Sequence, residues 1–362
     1  MIEFIWNFSL TIITFAKKIM GKVKRTEIST LGEFCLIEKL TKDFNIKNPS
    51  TLKGIGDDAA VLDYNGFKTV VSTDLLMEGI HFDLSYFPLR HLGFKSVIVN
   101  LSDIYAMNAI PKQITVSLGL SNRFSVEALE EIYFGIKTAC EAYNIDLVGG
   151  DTTSSHSGLT ISITAIGLGE KEKLAYRSGA KPGDIICVTG DLGAAYLGLQ
   201  LLERERQLQQ SNPNIKIDLE DQKYLIGRFL KPEARKDIIE LFQNSNLVPT
   251  SMIDISDGLA SELFHISKQS RVGILIEENK IPIHPDSQQM ALKFQVDPIT
   301  AALSGGEDYE LLFTVDPEKL EIVRYLPDVN IIGEVKELKD GINLLSTGNK
   351  LHKLKAQGWK HF

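Results

Sequence analysis

The stretch Met252-Ile253-Asp254-Ile255-Ser256-Asp257-Gly258 takes an apolar strand pattern into a turn of hydroxyl and carboxylate residues, and a helical pattern follows from Leu259 to Lys268. Val70 to Leu75 is a fainter echo of it, because another apolar run there meets hydroxyl residues and an aspartate. A carboxylate at the end of a buried strand can hold a hard cation while neighbouring backbone N–H groups face phosphate oxygens. The pattern therefore indicates magnesium and phosphate chemistry at the edge of an α/β sheet.

Aspartates also follow apolar runs at three other places, which are Gly56-Asp57-Asp58, Leu101-Ser102-Asp103 and Gly149-Gly150-Asp151-Thr152-Thr153. Each one alone has a structural explanation, because Asp and Ser are favoured helix N-caps and turn residues. Asp191 and Asp257, which both precede predicted helices, could be such caps. The whole series is harder to explain by capping, since ligands usually bind at the strand ends of an α/β sheet. So many converging carboxylates would repel one another without metal ions.

Length and composition favour a two-domain protein that binds neither nucleic acid nor a membrane. The 362 residues exceed the usual size of one hydrophobic core, and 43% hydrophobic residues are enough for two. The net charge of -8 is spread along the chain, and no lysine- or arginine-rich stripe offers a surface for a phosphate backbone. Cys35, Cys140 and Cys187 are far apart and form no C-x-x-C pair, which favours a reducing cytoplasm over a disulfide framework or a zinc site.

Residues 1–28 differ from the rest of the chain. An apolar run ends at Ala16, and the lysines Lys17 and Lys18 come after it, whereas a secretory signal has its positive charges before the apolar run. The run is also shorter than a bilayer-spanning helix. A membrane anchor or signal is one reading. We favour a poorly ordered extension, with a true start near Met20.

From Ser29 onward, helical and strand patterns alternate, which predicts an α/β (α+β) fold. The domain boundary is placed near Glu170, which gives an N-terminal metal- and ATP-binding domain at 29–170 and a C-terminal domain at 171–362. The polar, glutamine-rich stretch Glu203–Asp221 is predicted to be an exposed excursion. The predicted strands are 59–62, 69–73, 113–120, 145–148, 159–168, 185–189, 274–277, 309–315 and 331–334, and the predicted helices are 31–44, 92–107, 126–143, 194–202, 232–243 and 259–268.

Familiar phosphate-binding loops are missing from the sequence. There is no G-x-x-x-x-G-K-[ST] loop, and Gly54-Ile55-Gly56 does not continue with the glycine spacing of a dinucleotide or kinase loop. Metal ions must then neutralise the phosphates. Mg²⁺ keeps several waters and is typically shared between a few carboxylates and the phosphates of a substrate, which suits a triphosphate donor and a phosphate acceptor.

Seven motifs follow one another along the chain. They are Gly54-Ile55-Gly56-Asp57-Asp58-Ala59-Ala60, Ser72-Thr73-Asp74 with Gly79-Ile80-His81-Phe82, Asn100-Leu101-Ser102-Asp103-Ile104, Gly149-Gly150-Asp151-Thr152-Thr153, Arg177-Ser178-Gly179-Ala180-Lys181-Pro182-Gly183-Asp184, Ile255-Ser256-Asp257-Gly258-Leu259 and Ser304-Gly305-Gly306-Glu307-Asp308-Tyr309-Glu310-Leu311. In this order, they resemble the motifs of the thiamine-monophosphate kinase family. That family belongs to the aminoimidazole-ribonucleotide synthetase-like ATP-binding superfamily, so the resemblance implies two α/β domains, a homodimer, and ATP-dependent phosphorylation of thiamine monophosphate to thiamine diphosphate.

The resemblance also implies roles for individual residues. The magnesium-site residues would be Asp58, Ser72, Thr73, Asp74, Asp103, Asp151, Asp254 and Asp257. Gly150, Asp151, Arg177 and Ser256 would contact ATP, and His81, Glu307 and Trp359 would contact thiamine monophosphate. Strict alignment of the C-terminus places Ala356 where the family has an aromatic residue over the thiamine ring, and Trp359 is its predicted substitute. His81 could instead be a turn histidine, and Arg177 a solvated loop charge.

The predicted mechanism is direct in-line transfer of the ATP γ-phosphoryl to the terminal phosphate of thiamine monophosphate. The acceptor oxygen is already anionic near neutral pH, so no strong general base and no covalent residue is needed. Two alternatives stay open. One is another ATP-dependent enzyme of the superfamily, which the segment Gly305–Glu310 and the lack of a reactive N-terminal cysteine disfavour. The other is a non-catalytic sensor of nucleotide or metal.

Overall fold

The computed structural model describes Thr26 and residues 39–53, 61–62, 68–215 and 219–355. The predictions for Asp58, Ala356 and Trp359, and for residues 1–28 apart from Thr26, lie outside these residues. Among the described helices, none combines the length and the apolar character that a membrane crossing requires.

The first half of the chain forms a four-stranded sheet with two helices. A short antiparallel pair, β1 (Thr51–Lys53) and β2 (Val61–Leu62), precedes it. The sheet has the strand order β3-β6-β4-β5, in which β4 and β5 are parallel and the other pairs antiparallel. Its elements are β3 (Lys68–Met77), α1 (Leu89–Ala106), β4 (Ile110–Leu120), α2 (Val126–Tyr143), β5 (Asp146–Ser154) and β6 (Leu159–Gly169).

Helices α1 and α2 pack closely against each other. A Cβ atom on Gly93 would lie 2.0 Å from the carbonyl oxygen of Ile132, and one on Gly135 would lie 1.9 Å from that of Arg90, so both positions require glycine. The side chain of Ser125 caps α2 by accepting a hydrogen bond from the Ala128 N–H at 3.4 Å. All residues of α1 from Leu92 to Ser102 are buried, and therefore α1 is enclosed by more than the sheet alone.

The second half of the chain forms a mixed seven-stranded sheet with the order β13-β12-β9-β11-β7-β10-β8. Only its β12–β9 pair is parallel among the described strands. Its core includes an edge-to-face contact of Phe242 and Phe313 with ring centroids 5.1 Å apart. Its elements are β7 (Ile185–Thr189), α3 (Ala194–Ser211), α4 (Lys223–Leu230), α5 (Lys236–Asn244), β8 (Ser251–Asp254), α6 (Leu259–Ser270), β9 (Gly273–Glu277), α7 (Pro285–Lys293), α8 (Pro298–Ser304), β10 (Leu311–Val315), α9 (Leu320–Arg324), β11 (Val329–Lys336), β12 (Ile342–Leu345) and β13 (Leu351–Lys353).

The predicted α/β (α+β) class is confirmed, and one predicted segment is wrong. The exposed excursion at Glu203–Asp221 begins as helix, because α3 continues to Ser211. Contacts with the first half of the chain explain this extension. The hydroxyl of Tyr86 donates to Glu203 Oε1 at 2.6 Å, and Arg206 lies 3.5 Å from a carboxylate oxygen of Asp83.

Candidate active site

Three of the predicted aspartates converge where α1 lies between the two sheets. Asp74 is on β3, Asp103 is on α1, and Asp254 ends β8. The hydroxyl of Ser72 donates to Asp103, and that of Ser102 donates to Asp254 Oδ2 at 2.7 Å. Helix α1 therefore carries one carboxylate of the site and orients another through Ser102.

Each of these carboxyl groups has a raised pKa. Burial raises the pKa of Asp74 to about 6, and the nearby charge of Asp103 adds to the shift. Burial raises the pKa of Asp254 to about 7, again with a contribution from Asp103. Burial also raises the pKa of Asp103, while the Ser72 hydroxyl and the Arg177 charge oppose the rise. These carboxylates are desolvated together and repel one another.

Glu262, on the first turn of α6, belongs to the same group. Burial raises its pKa to about 8, and the charges of Asp254 and Asp257 add to the shift. Its Oε1 accepts a hydrogen bond from the Asp257 N–H at 3.1 Å. We call Asp74, Asp103, Asp254, Asp257 and Glu262 the acidic cluster.

Arg177 and Ser256, the predicted ATP contacts, lie beside the acidic cluster. Arg177 is exposed, and its charge lowers the pKa of Asp103 and of Asp254. Ser256 is exposed in the loop between β8 and α6, and its carbonyl accepts from the Glu307 N–H at 2.7 Å. An anionic ligand at the acidic cluster would therefore meet one guanidinium and an exposed hydroxyl.

The predicted helix caps are wrong. The N-cap residue of α6 is Gly258 and that of α3 is Gly193, and neither helix start has a side-chain cap bond. The carboxylate of Asp191 accepts from the Tyr224 hydroxyl instead. Both caps have positive φ, 108° at Gly258 and 83° at Gly193, a conformation that glycine adopts without strain.

The donor set suits a shared hard cation. Within the described ranges, no group of three or more His, Cys, Asp or Glu side chains is arranged to hold a metal ion by itself. Mg²⁺ commonly takes one or two carboxylates and completes its shell with water and substrate phosphates. The all-oxygen donors of the acidic cluster, with their raised pKa values and mutual repulsion, fit that mode of binding.

Gly150, Asp151 and Thr73 do not join the acidic cluster in the described protomer. Asp151 is exposed on β5, three strand spacings from β3, which is roughly 14 Å at the usual spacing. A Cβ atom on Gly150 would lie 1.8 Å from the Val116 carbonyl oxygen, so close strand packing requires glycine there. The Thr73 hydroxyl donates to the Ile163 carbonyl at 3.1 Å. The expectation that all the acids end strands is also wrong, because Asp103 is helical and Asp74 and Asp151 lie inside strands.

The two predicted substrate residues within the described ranges have different surroundings. His81 lies in the turn after β3, where its Nδ1 accepts from the Met77 N–H at 3.0 Å. That bond matches the turn-histidine alternative and fixes the ring. Glu307 has a φ of 60°, and its side chain, 30% exposed, forms an ion pair with Lys95.

The sequence also concealed functional candidates. Lys95 and Glu262 were not predicted, although a lone lysine in an apolar helix and a glutamate one turn into α6 are visible in the sequence. Asp308 and Glu310, from the motif that contains Glu307, have a structural role. Asp308 accepts from the Gly193 N–H at 2.9 Å, and Glu310 pairs with two arginines.

The chain is similar to AIR synthase related proteins over most of its length. Two family models match the chain: AIR synthase related protein, N-terminal domain, at residues 56–169, and AIR synthase related protein, C-terminal domain, at residues 181–342. Solved structures of the hydrogenase maturation protein HypE share the fold, with a TM-score of 0.67, 20% identity, and coverage of 89% of this chain and 95% of that one.

Closer similarity is to thiamine-monophosphate kinases. The kinase of Bacillus subtilis is 36% identical over 92% of this chain and 100% of its own length, and that of Pyrococcus horikoshii is 34% identical over 85% and 90%. A structure described as AaThiL complexed with AMPPCP and TMP has a TM-score of 0.71 and 34% identity, with 94% of this chain and 100% of that one covered. The chain belongs to the thiamine-monophosphate kinase family, and the predicted resemblance is confirmed.

Proposed function

We propose that this protein transfers the γ-phosphoryl group of ATP to thiamine monophosphate and releases thiamine diphosphate and ADP. The observation that carries the proposal is the acidic cluster, which gathers carboxylates with raised pKa values from both halves of the chain, with Arg177 beside them. Support comes from family membership and from the similar structure that holds AMPPCP and TMP. The protein is then a phosphotransferase with a phosphate group as acceptor.

Magnesium is part of this proposal. Asp74, Asp103 and Asp254, with Asp257 and Ser72, would hold the ions, and the predicted ligand Asp58 would join them. When bound, the ions would neutralise charge on the phosphates that meet at the site. We infer several ions, because one cation could not balance so many carboxylates.

The side chains of the protein would bind and orient the two reactants. Arg177 and Ser256 would contact the phosphates of ATP, and His81 and Glu307 would contact thiamine monophosphate. The acceptor phosphate oxygen is anionic near neutral pH, so the side chains align it without removing a proton. Gly150 and Asp151 remain predicted ATP and metal residues on the far edge of the first sheet.

The quaternary structure, the location and the domain division are also proposed. The sheet face away from α1 exposes Val71 by 60%, Leu75 by 50% and Met77 by 42%, a row that a second copy of the chain could cover. We therefore propose a homodimer. Cys140 and Cys187 are free and buried, which suits a cytoplasmic protein, and we keep the domain boundary near Glu170.

The dimer can be tested on its own. Leu75→Asp would place a charge in the proposed interface, and we expect the sedimentation coefficient to fall from dimer to monomer. Leu338→Asp is a matched control, because Leu338 is 60% exposed in the second half of the chain. A wild-type protein that sediments as a monomer would contradict the homodimer.

The activity is tested by incubating the protein with ATP, Mg²⁺ and thiamine monophosphate, and by measuring the products by mass spectrometry. The kinase should yield thiamine diphosphate and ADP in equal amounts, and no ADP without thiamine monophosphate. ADP release with another acceptor would favour another enzyme of the superfamily. Nucleotide binding without turnover would favour the sensor.

A further inference from the structure

Lys95 has an almost completely buried side chain and no role in the proposed mechanism. Its side chain is 1% exposed, and it lies on α1 between the two halves of the molecule. Its ammonium group pairs with the Glu307 carboxylate and donates to the Phe229 carbonyl oxygen at 3.0 Å. The ammonium nitrogen also lies 4.1 Å from the ring centre of Phe229 and 5.5 Å from that of Phe87. An ammonium has three donors, so these contacts fix its position.

The burial of Lys95 prevents it from contacting a substrate directly. Glu307, by contrast, is 30% exposed, and no donor among the described residues bonds its second oxygen, Oε1. That oxygen is available to a ligand, while Lys95 holds the other. The effect of Lys95 on a substrate must therefore pass through Glu307.

The main chain around Glu307 is also tied to the acidic cluster. The Glu307 N–H bonds the Ser256 carbonyl at 2.7 Å, and the Tyr309 N–H bonds that of Ile255 at 2.9 Å. Glu307 and Tyr309 both adopt left-handed φ, 60° and 53°, which is unusual for residues other than glycine and asparagine. The backbone of Glu307 is therefore held beside the loop between Asp254 and Asp257, while Lys95 pairs with its carboxylate.

We propose that Lys95 is a positioning residue, which aims the free oxygen of Glu307 at thiamine monophosphate and couples α1 to the substrate side of the site. This inference rests on the proposed function, in which Glu307 contacts that substrate. It predicts that loss of the ammonium weakens the binding of thiamine monophosphate and leaves ATP binding unchanged.

The test is a double-mutant cycle on steady-state kinetics with Lys95→Met, Glu307→Gln and both together. Methionine has a similar length and packs between the two rings, while the partly exposed Glu307 can turn to water. Each single change should raise KM for thiamine monophosphate about tenfold, with KM for ATP within about twofold and kcat within about threefold. The double variant should be no worse than either single variant, because both break one contact.

Arg206→Met is the matched control. Arg206 also joins the two halves, through Asp83 and Glu203, but it belongs to a separate contact. If Lys95 only holds the halves together, both changes should act alike on the kinetics. If it positions Glu307, Arg206→Met should leave KM for thiamine monophosphate unchanged.

The outcomes separate this inference from the proposed function. A wild-type protein that makes no thiamine diphosphate refutes the proposed function. If the wild type is active, two results refute the role of Lys95. One is a KM for thiamine monophosphate in Lys95→Met that equals the wild-type value, and the other is a double variant in which the effects of the two single changes multiply. Thermal melting shows whether each variant is folded. If Lys95→Met is unfolded, Lys95→Gln replaces it, because glutamine keeps a donor for the Phe229 carbonyl. The expected kinetics of Lys95→Gln are the same.

Discussion

Asp254 ends β8 and Glu310 directly precedes the neighbouring strand β10, and these two buried carboxylates have different surroundings. Glu310 pairs with Arg228 at 2.9 Å and with Arg235 at 2.5 Å, and it accepts from the Thr189 hydroxyl at 2.6 Å. Asp254 accepts a hydrogen bond from the Ser102 hydroxyl at 2.7 Å, and it lies near the carboxylates of Asp103 and Asp74. Glu310 is neutralised inside the protein, whereas the positive charge near Asp254 comes, among the described residues, from the exposed Arg177.

This difference separates structural acids from functional ones. A buried charge needs a partner, a proton or a ligand. Glu310 has its partners and stabilises the fold around β10. The acidic cluster needs protons or cations from outside, which is the property expected of a metal and phosphate site. Motif matching alone could not separate the two, because both carboxylates lie in aspartate- or glutamate-rich motifs.

The largest expected effect is on turnover, from Asp74→Asn in the acidic cluster. Losing one metal-binding carboxylate should lower kcat/KM about 1000-fold, which corresponds to about 4 kcal/mol of activation free energy. The free energy of unfolding should stay the same or rise, because the change removes a repelling charge. Product formation and urea unfolding of the same preparation measure both. Activity within a few-fold of wild type would remove Asp74 from the site.

Substitution of Glu310, the structural carboxylate, should lower the stability of the protein. Glu310→Gln leaves Arg228 and Arg235 without their shared counter-charge, and we expect the free energy of unfolding to fall by about 3 kcal/mol. Glu321→Gln breaks the exposed ion pair with Arg324, and this variant should change the free energy of unfolding by less than about 1 kcal/mol. Urea denaturation measures both variants. Equal stabilities of the two variants would mean that Arg228 and Arg235 do not depend on Glu310.

The acidic cluster should also make stability depend on pH and Mg²⁺. The folded pKa values of Asp74 and Asp254, about 6 and about 7, lie above the ordinary value of 3.8. The folded state therefore binds extra protons, and the stability they contribute is complete below pH 4 and lost as pH rises through 6 to 7. Without Mg²⁺, Asp74 and Asp254 together should favour pH 6 over pH 8 by about 2 kcal/mol.

Melting curves at both pH values, with and without Mg²⁺, measure this effect. Mg²⁺ should stabilise the protein more at pH 8, where the carboxylates are ionised, than at pH 6. Asp74→Asn should reduce that difference, and Glu310→Gln should keep it. Equal stabilisation at both pH values would mean that the cations bind elsewhere.

Strong local patterns in the sequence predicted much of the fold. The helix at 126–143 and the strand at 185–189 have the predicted bounds, because apolar periodicity or a short β-branched run marks each of them. The second half of α3 has no such pattern. Its polar residues Glu203 and Arg206 are held by Tyr86 and Asp83, more than a hundred positions earlier, and a local window cannot contain that contact.

Only part of the candidate site could be predicted, because some of its residues lack a local sequence pattern. Asp74, Asp103 and Asp254 stand in motifs, so sequence alone could propose them. The roles of Lys95 and Glu262 depend on which side chains approach them after folding. Asp308 and Glu310 stand in a motif too, but the arginines that make Glu310 structural lie about eighty positions away.

The smallest expected effect tests whether α1 orients Asp254. Ser102→Ala removes the hydroxyl that donates to Asp254, and one such hydrogen bond is worth about 1 kcal/mol. Asp254 keeps its charge but loses its fixed orientation. The Mg²⁺ concentration for half-maximal activity should therefore rise about fivefold, a factor that corresponds to about 1 kcal/mol.

Ser96→Ala is the control for Ser102→Ala, because Ser96 is a buried serine of the same helix whose hydroxyl donates to the Gly93 carbonyl at 2.8 Å. Both variants should lose similar stability in urea, since each loses one buried hydrogen bond. Only Ser102→Ala should change the Mg²⁺ dependence. If both variants kept the wild-type dependence, the Ser102 bond would merely satisfy a buried carboxylate, and the contrast between Asp254 and Glu310 would rest on charge alone.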